Sequence, residues 1–266
     1  NNTLVTNQCL ILKYEQCSNK FNNKTMFNYI CAPVLNKAAK EQFQRLSLDA
    51  MFMPDLKIVD QLAFFSSQLK HLYLPSVVEI GQCAFQYNNF QILSLTKLIT
   101  LKEDSQFYSC KHLKLFHAPI LSCVSEFCFQ DCERLESVIV PAASIRDSAF
   151  HGCQNLQMAV CKKSQFKCGC KNCPKCTKRF QLCLQRGELF AKSKLFQQLS
   201  LQIEFDEKFV RFVKIQPTHI QTHQDNQNLQ GKWTKIHEKQ IILAKLKGVT
   251  QIALSLSNEM KINELE

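Results

Sequence analysis

Apolar residues return along this chain at a nearly fixed interval, and phenylalanine marks it best. Phe21, Phe43, Phe64, Phe85, Phe107, Phe129 and Phe150 follow one another at steps of 22, 21, 21, 22, 22 and 21 residues. Five residues before the anchor stand Ala38, Val59, Ile80, Val124 and Ile145, and directly before it the small residues Ala63, Ala84, Cys128 and Ala149. Five or six residues after it come Phe27, Leu48, Leu69, Phe90, Leu113, Leu135 and Leu156. These open stretches such as LKHLYLP and LESVIVP, whose apolar and polar side chains alternate as along a half-buried strand. Pro33, Pro54, Pro75 and Pro119 each lie ten residues ahead of an anchor, and Pro141 lies nine ahead.

A unit this short cannot bury its own apolar face, so neighbouring coils must stack, each adding the same side chain to a continuous ladder. The pattern predicts a solenoid. Proline has no N–H for the ladder and fixes its own φ, so it ends each strand and turns the chain toward the convex side. Phenylalanine fills the coil interior, with about 2–3 kcal/mol of transfer free energy per buried ring. Strand exit and core anchor keep a fixed separation because the coils must superpose. In the fifth coil Thr96 replaces proline and eleven residues lead to Phe107, which predicts a local bulge and not a break. Cys110, Cys132 and Cys153 each follow an anchor by three residues, predicting an interior column of free thiols acting as small hydrophobes.

LYLPSVVEIGQCAFQYNNF, from Leu72 to Phe90, resembles the BspA-like class of leucine-rich repeats, whose pattern is LxxIxLP followed by VxxIGxxAFxxCxxL. Asn88 stands where that class has cysteine; FCFQDCERLESVIVP, from Phe127 to Pro141, carries it as Cys132. The resemblance spans roughly residues 20–160. It implies a right-handed leucine-rich-repeat superhelix, β-rich, with short irregular or helical convex segments. The expected organisation is a solenoid of about seven coils over 1–160, a Cys-rich basic cap over 161–186, and a small mixed α/β segment over 187–266. The class includes adhesins and surface proteins, so the resemblance implies a non-enzymatic protein-interaction or adhesion module.

Composition narrows the picture further. With 266 residues and 45% hydrophobic content the chain can form a substantial core. The net charge of +11 belongs to the C-terminal part, since Cys161 to Leu195 holds ten cations and one acid. No run of eighteen apolar residues occurs, so no transmembrane segment is expected. The opening NNTLVTNQCL lacks the features of a secretory signal, which points to the cytoplasm ahead of the cell surface or secretion, and the start on Asn1 suggests a fragment or processed form. Sequons at Asn1 and Asn23 do not decide the compartment. Six glycines leave no phosphate-cradling loop, and neither HExxH nor GxSxG occurs, so no enzyme is expected.

Fifteen cysteines, an odd number in a long chain, do not read as a disulfide framework. FKCGCKNCPKC places Cys168, Cys170, Cys173 and Cys176 within nine residues, flanked by Cys161 and Cys183. Such spacing lets thiolates converge on one cation, and Gly169 and Pro174 supply the turns. Structural Zn²⁺ is the expected ligand, with disulfides, as in the caps of secreted leucine-rich-repeat proteins, or free thiols as the alternatives. An iron–sulfur cluster lacks its downstream partner spacing. His219 and His223 are read as part of a polar loop.

In a stacked LxxIxLP strand, alternation turns two positions outward from the concave sheet. One column is Cys31, Phe52, Tyr73, Ser94, His117 and Ile139; the other is Tyr29, Ala50, His71, Ile92, Leu115 and Ser137. Their apolar and aromatic character predicts a protein-binding face of Phe52, Tyr73, His117, Ile139 and His71, with Lys70 and Lys114 beside it. The competing reading is a zinc-knuckle nucleic-acid binder over Lys162 to Arg179, where only Phe166 and Phe180 could stack on bases. From Gly187 the period is lost. Leu201 to Gln216 suggests a hairpin, Thr234 to Leu246 a helix, and Val249 to Asn258 a further leucine-rich strand, the start of a second array.

Overall fold

The computed structural model describes residues 2–163, 165–194 and 196–197. Nearly all of them belong to one compact unit, Asn1–Ala191, and the few beyond it to a second, Lys192–Glu266. The hairpin, helix and strand expected after residue 200, with His219 and His223, lie outside the described residues.

The unit opens with a hairpin that the repeat pattern does not foretell. Strand β1 (Thr3–Thr6) runs antiparallel to β2 (Cys9–Leu12), joined by Asn7 and Gln8 at φ 48° and 60°. Two left-handed residues in a row match the twist of the flanking strands. β2 then pairs in parallel with the first coil, so the hairpin caps the N-terminal end.

Each coil supplies two strands. A three- or four-residue strand is followed by a two-residue one: β3 (Tyr29–Cys31) and β4 (Lys37–Ala38), β5 (Ala50–Phe52) and β6 (Ile58–Val59), β7 (His71–Tyr73) and β8 (Glu79–Ile80). The series continues with β9 (Ile92–Ser94) and β10 (Thr100–Leu101), β11 (Leu115–His117) and β12 (Cys123–Val124), β13 (Ser137–Val140) and β14 (Ser144–Ile145), and ends on β15 (Met158–Cys161). Equivalent strands pair in parallel and in register, giving a β-solenoid of about seven turns. The face opposite the longer strands is thus itself a set of short parallel ladders.

The phenylalanines stack as the spacing requires. Consecutive centroids from Phe21 to Phe150 lie 5.6, 5.1, 5.3, 5.9, 5.6 and 5.9 Å apart, and every consecutive pair is within 11° of parallel. From Phe43 onward each ring is buried. Beside the stack, Gln42 and Gln106 are buried where other coils place alanine or cysteine. The Gln42 amide donates to the Cys17 and Asn19 carbonyls, so its burial leaves no polar group unmet.

Every coil from Phe43 onward bends at the same two backbone positions. Two residues before and two after the anchor, the chain enters the left-handed region: Glu41 and Arg45, Leu62 and Ser66, Cys83 and Tyr87, Ser105 and Ser109, all at φ between 51° and 59°. That conformation costs a residue with a side chain about 1–2 kcal/mol. Inter-coil bonds offset it. The N–H of Phe43, Phe64 and Phe85 donates to the carbonyl of Ala63, Ala84 and Gln106 at 2.8, 2.9 and 3.0 Å, and Arg45 donates to Phe65 at 2.7 Å.

In the fifth coil the extra residue falls between Leu101 and Phe107, where Glu103 adds a left-handed position at φ 60°. A bulge is present as expected, and interruptions of both ladders lie beside it. β9 pairs with β11 and not with β7, while β10 pairs with β8 and not with β12, so both ladders are interrupted beside this coil. The extra residue lies after β10 and shifts β12 relative to it, whereas β7 and β9 keep the ordinary 21-residue spacing; the ring stack and the turn hydrogen bonds, such as Phe85 to Gln106 and Phe107 to Cys128, pass through unbroken.

Helix α1 (Phe180–Ala191) packs on β15 and runs across the boundary expected at residue 186. A Cβ on Gly187 would lie 2.1 Å from the Ala159 carbonyl oxygen, so glycine lets helix and strand backbones touch. Phe166 and Phe180 pack edge to face at 5.0 Å and close over Phe150, at 6.1 and 6.0 Å from its ring. The last coil therefore ends under an aromatic lid. No helix among the described residues is long and apolar enough to cross a membrane.

Candidate functional site

Two sets of side chains stand out. The first is the face of the longer strands. Of the residues read as its exposed columns, Phe52, His117 and Ile139 are buried, which corrects the expectation that they stand in solvent. Each lies in a ladder between in-register neighbours: Phe52 between Cys31 and Tyr73, and His117 between Ser94 and Ile139. Exposure is concentrated where the ladder is interrupted. His71 is exposed, and Tyr73, Ile92 and Ser94 are partly so.

The buried residues brace the exposed ones. The Phe52 ring stacks on Tyr73 at 5.6 Å and 7°, and His117 Nδ1 lies 3.0 Å from Ser94 Oγ. Burial pushes the His117 imidazole down to about 4, so it is neutral near pH 7. Lys70 reaches back to Asp49 of the preceding coil at 2.7 Å, and Lys114 forward to Glu136 of the next at 4.0 Å.

The second set is the cysteine cluster. The Sγ atoms of Cys168, Cys170, Cys173 and Cys176 all lie within 4.8 Å of one another. Cys173 is 3.7 Å from Cys168 and 3.6 Å from Cys176, and Cys170 is 3.7 Å from Cys176. Ligands about 2.3 Å from a central ion form a tetrahedron with edges of about 3.8 Å, so the four thiols fit one small cation. The turn is built locally: Cys170 Sγ accepts the Cys173 N–H at 3.3 Å, and the Cys173 and Pro174 carbonyls accept from Thr177, Arg179 and Phe180 as the chain enters α1. Burial alone would raise the Cys170 thiol, but N–H donors from Gly152, Cys173 and Asn172 outweigh it and bring it down to about 6. Burial pushes Cys168 and Cys173 up.

The flanking cysteines do not join them. Cys183 is buried with its Sγ on the Leu156 carbonyl at 3.4 Å, and burial lifts Cys161 to about 11. No disulfide links cysteines among the described residues. Phe166 and Phe180 are buried in the lid, which takes away the stacking platform that the nucleic-acid reading requires.

The interior cysteine column is present, and it does more than fill space. Cys110, Cys132 and Cys153 donate their S–H to the carbonyls of Phe85, Phe107 and Phe129 in the preceding coil, at 3.1, 3.1 and 2.9 Å. Ser67 and Asn88 make the same bond, to Phe43 and Phe64. A small donor three residues past the anchor was the signal to look for, since cysteine, serine and asparagine share it. Burial raises Cys110 to about 12 and the other two well above their ordinary value, so all three stay protonated and unreactive.

Repeat length, ring stack and donor column together define a leucine-rich-repeat solenoid. Residues 36–165 match the BspA type leucine rich repeat region in six copies, and the repeat part of this chain belongs to that family. Among solved structures, the T. pallidum leucine rich repeat protein is 20% identical, with a TM-score of 0.52 over 67% of this chain and 90% of its own. A leucine-rich repeat protein from Bacteroides ovatus is 16% identical, with a TM-score of 0.35 over 54% of this chain and 51% of its own. No curated protein matches the chain.

Proposed function

We propose that the repeat region is a non-enzymatic protein-interaction or adhesion module that binds its partner at the centre of the longer-strand face, around His71, Tyr73, Ile92 and Ser94. The interruption between β7 and β9 carries this reading, because it coincides with the most exposed part of the face. Phe52 and His117 hold Tyr73 and Ser94 from the adjoining coils, so these anchors lose little side-chain freedom on binding. Lys70 and Lys114, already paired across coils, belong to the rim. Affinity capture with the full chain, its Tyr73→Glu variant and an Ile120→Glu variant at an exposed turn tests the assignment. A partner lost with Tyr73→Glu and kept with Ile120→Glu supports it; a partner kept by both excludes this face.

For the four cysteines we propose one Zn²⁺. A closed all-thiolate set has no open coordination position, which suits a redox-inert structural ion and not a catalytic one.

A further inference from the structure

We infer that the cysteine turn stands in for an eighth coil, and that the ion it holds is the clasp keeping the aromatic lid on the solenoid end. The inference rests on the zinc reading and extends it to the folding of the terminal coils.

The backbone ladder shows the substitution. Between earlier coils, the residue two before each anchor donates to the carbonyl of its counterpart's predecessor: Glu41 to Gln61 at 3.1 Å, Leu62 to Gln82 at 3.0 Å, Ser105 to Glu126 at 3.2 Å. Ser148 makes the same bond to Lys167 at 2.8 Å, so the segment after β15 re-enters the coil path. Asp147 Oδ1 fixes it from the other side by accepting the Lys167 N–H at 2.7 Å. Two residues past the anchor, Arg45 and Asp131 donate to the next coil's carbonyls, those of Phe65 and His151, at 2.7 and 2.8 Å. The next phenylalanine would fall near residue 171, and Cys170 and Lys171 occupy that place, with Lys171 left-handed at φ 71°.

A polar turn so placed cannot cover the apolar end by itself. Phe166 just before it and Phe180 just after it do that, and both reach Phe150 because the turn brings their backbones together. Lys175, inside the turn, lies over the Phe166 ring at 4.9 Å. Four sulfurs on one ion fix the loop between the two rings, whereas without it the turn has few apolar contacts to hold its shape.

The full chain, purified without added metal, gives the test. Zinc content is measured per chain, and amide exchange is followed before and after a strong chelator and again after Zn²⁺ alone is returned. About one zinc per chain is expected. Chelation should speed exchange at least tenfold in β15 and α1 and leave β3 and β5 unchanged, and zinc should reverse it. A Phe166→Ala variant should keep its zinc yet exchange faster at α1. Bound zinc whose removal leaves α1 unchanged, or speeds all coils equally, overturns the clasp while the metal site stands. No bound metal, with Co²⁺ giving no tetrahedral thiolate spectrum, overturns both.

Discussion

Replacing Phe85 with alanine removes a ring from the middle of the interior stack. Its centroid lies 5.3 Å from Phe64 and 5.9 Å from Phe107, with Phe90 edge-on at 6.2 Å, and none of the residue is exposed. Lost transfer free energy of about 2–3 kcal/mol and about 0.5–1.5 kcal/mol for each of the three aromatic contacts sum to about 3.5–7.5 kcal/mol, and the lower part of that span meets the usual cost of this substitution in a packed core, about 3–5 kcal/mol, so a cost of about 4–5 kcal/mol is expected. Phe21 is the control. It is partly exposed and stacks on one side only, against Phe43 at 5.6 Å, with Phe27 edge-on at 6.5 Å, so Phe21→Ala should cost about 1–2 kcal/mol. Urea unfolding followed by circular dichroism measures both, with the slope showing whether the array still unfolds as one unit. Equal costs for the two variants, or less than about 1 kcal/mol for Phe85→Ala, would refute the continuous stack as the source of stability.

Alanine usually stabilises a helix relative to glycine by about 1 kcal/mol, but Gly187→Ala should lower the thermal midpoint because its Cβ meets the Ala159 carbonyl; a raised midpoint would refute that contact. Asn88→Ala leaves the Phe64 carbonyl and the Leu69 N–H without their side-chain partner and should cost about 2–3 kcal/mol in urea unfolding, whereas Asn88→Cys should recover much of it by restoring a donor. His117 takes its proton at about 4 when folded and 6.5 ordinarily, so between those values the unfolded chain binds more protons. Stability from this group is therefore full above pH 6.5 and lost as pH falls toward 4, by about 3 kcal/mol. Urea midpoints at several pH values should show a shallower acid dependence in His117→Asn than in the wild type, and parallel curves would exclude the effect.

Much of this architecture was legible because the repeat is written in residues that must coincide in space. Stacked coils place equivalent positions on one another, so a ring that fills one interior serves in all, and Phe43, Phe64, Phe85, Phe129 and Phe150 could be aligned by counting. The cysteine turn was legible for a related reason: four thiols within nine residues converge without help from the rest of the fold. The binding face was less so. Alternation identified which side chains leave the interior, but exposure depends on what lies to either side. Phe52 and Tyr73 occupy the same column, yet one is buried and the other is partly open.

By itself, the sequence determined the period, the coil boundaries, the ring stack, the interior cysteine column and the grouping of the four cysteines, all of which follow from local spacing. Tertiary structure decided the rest. The left-handed bends at Leu62 and Cys83 carry no glycine to announce them, and they persist because inter-coil hydrogen bonds hold them. The hairpin over Thr3–Leu12 forms because its second strand finds β3 to pair with. A single extra residue before Phe107 reads as a local bulge, but whether the ladders on either side of that coil are continuous is a matter of register between coils. The meeting of Phe166 and Phe180 over Phe150 depends on a chain reversal that no one segment encodes. Spacing along a chain specifies which residues can coincide; whether they are covered, and by what, is set only when distant segments share the same volume.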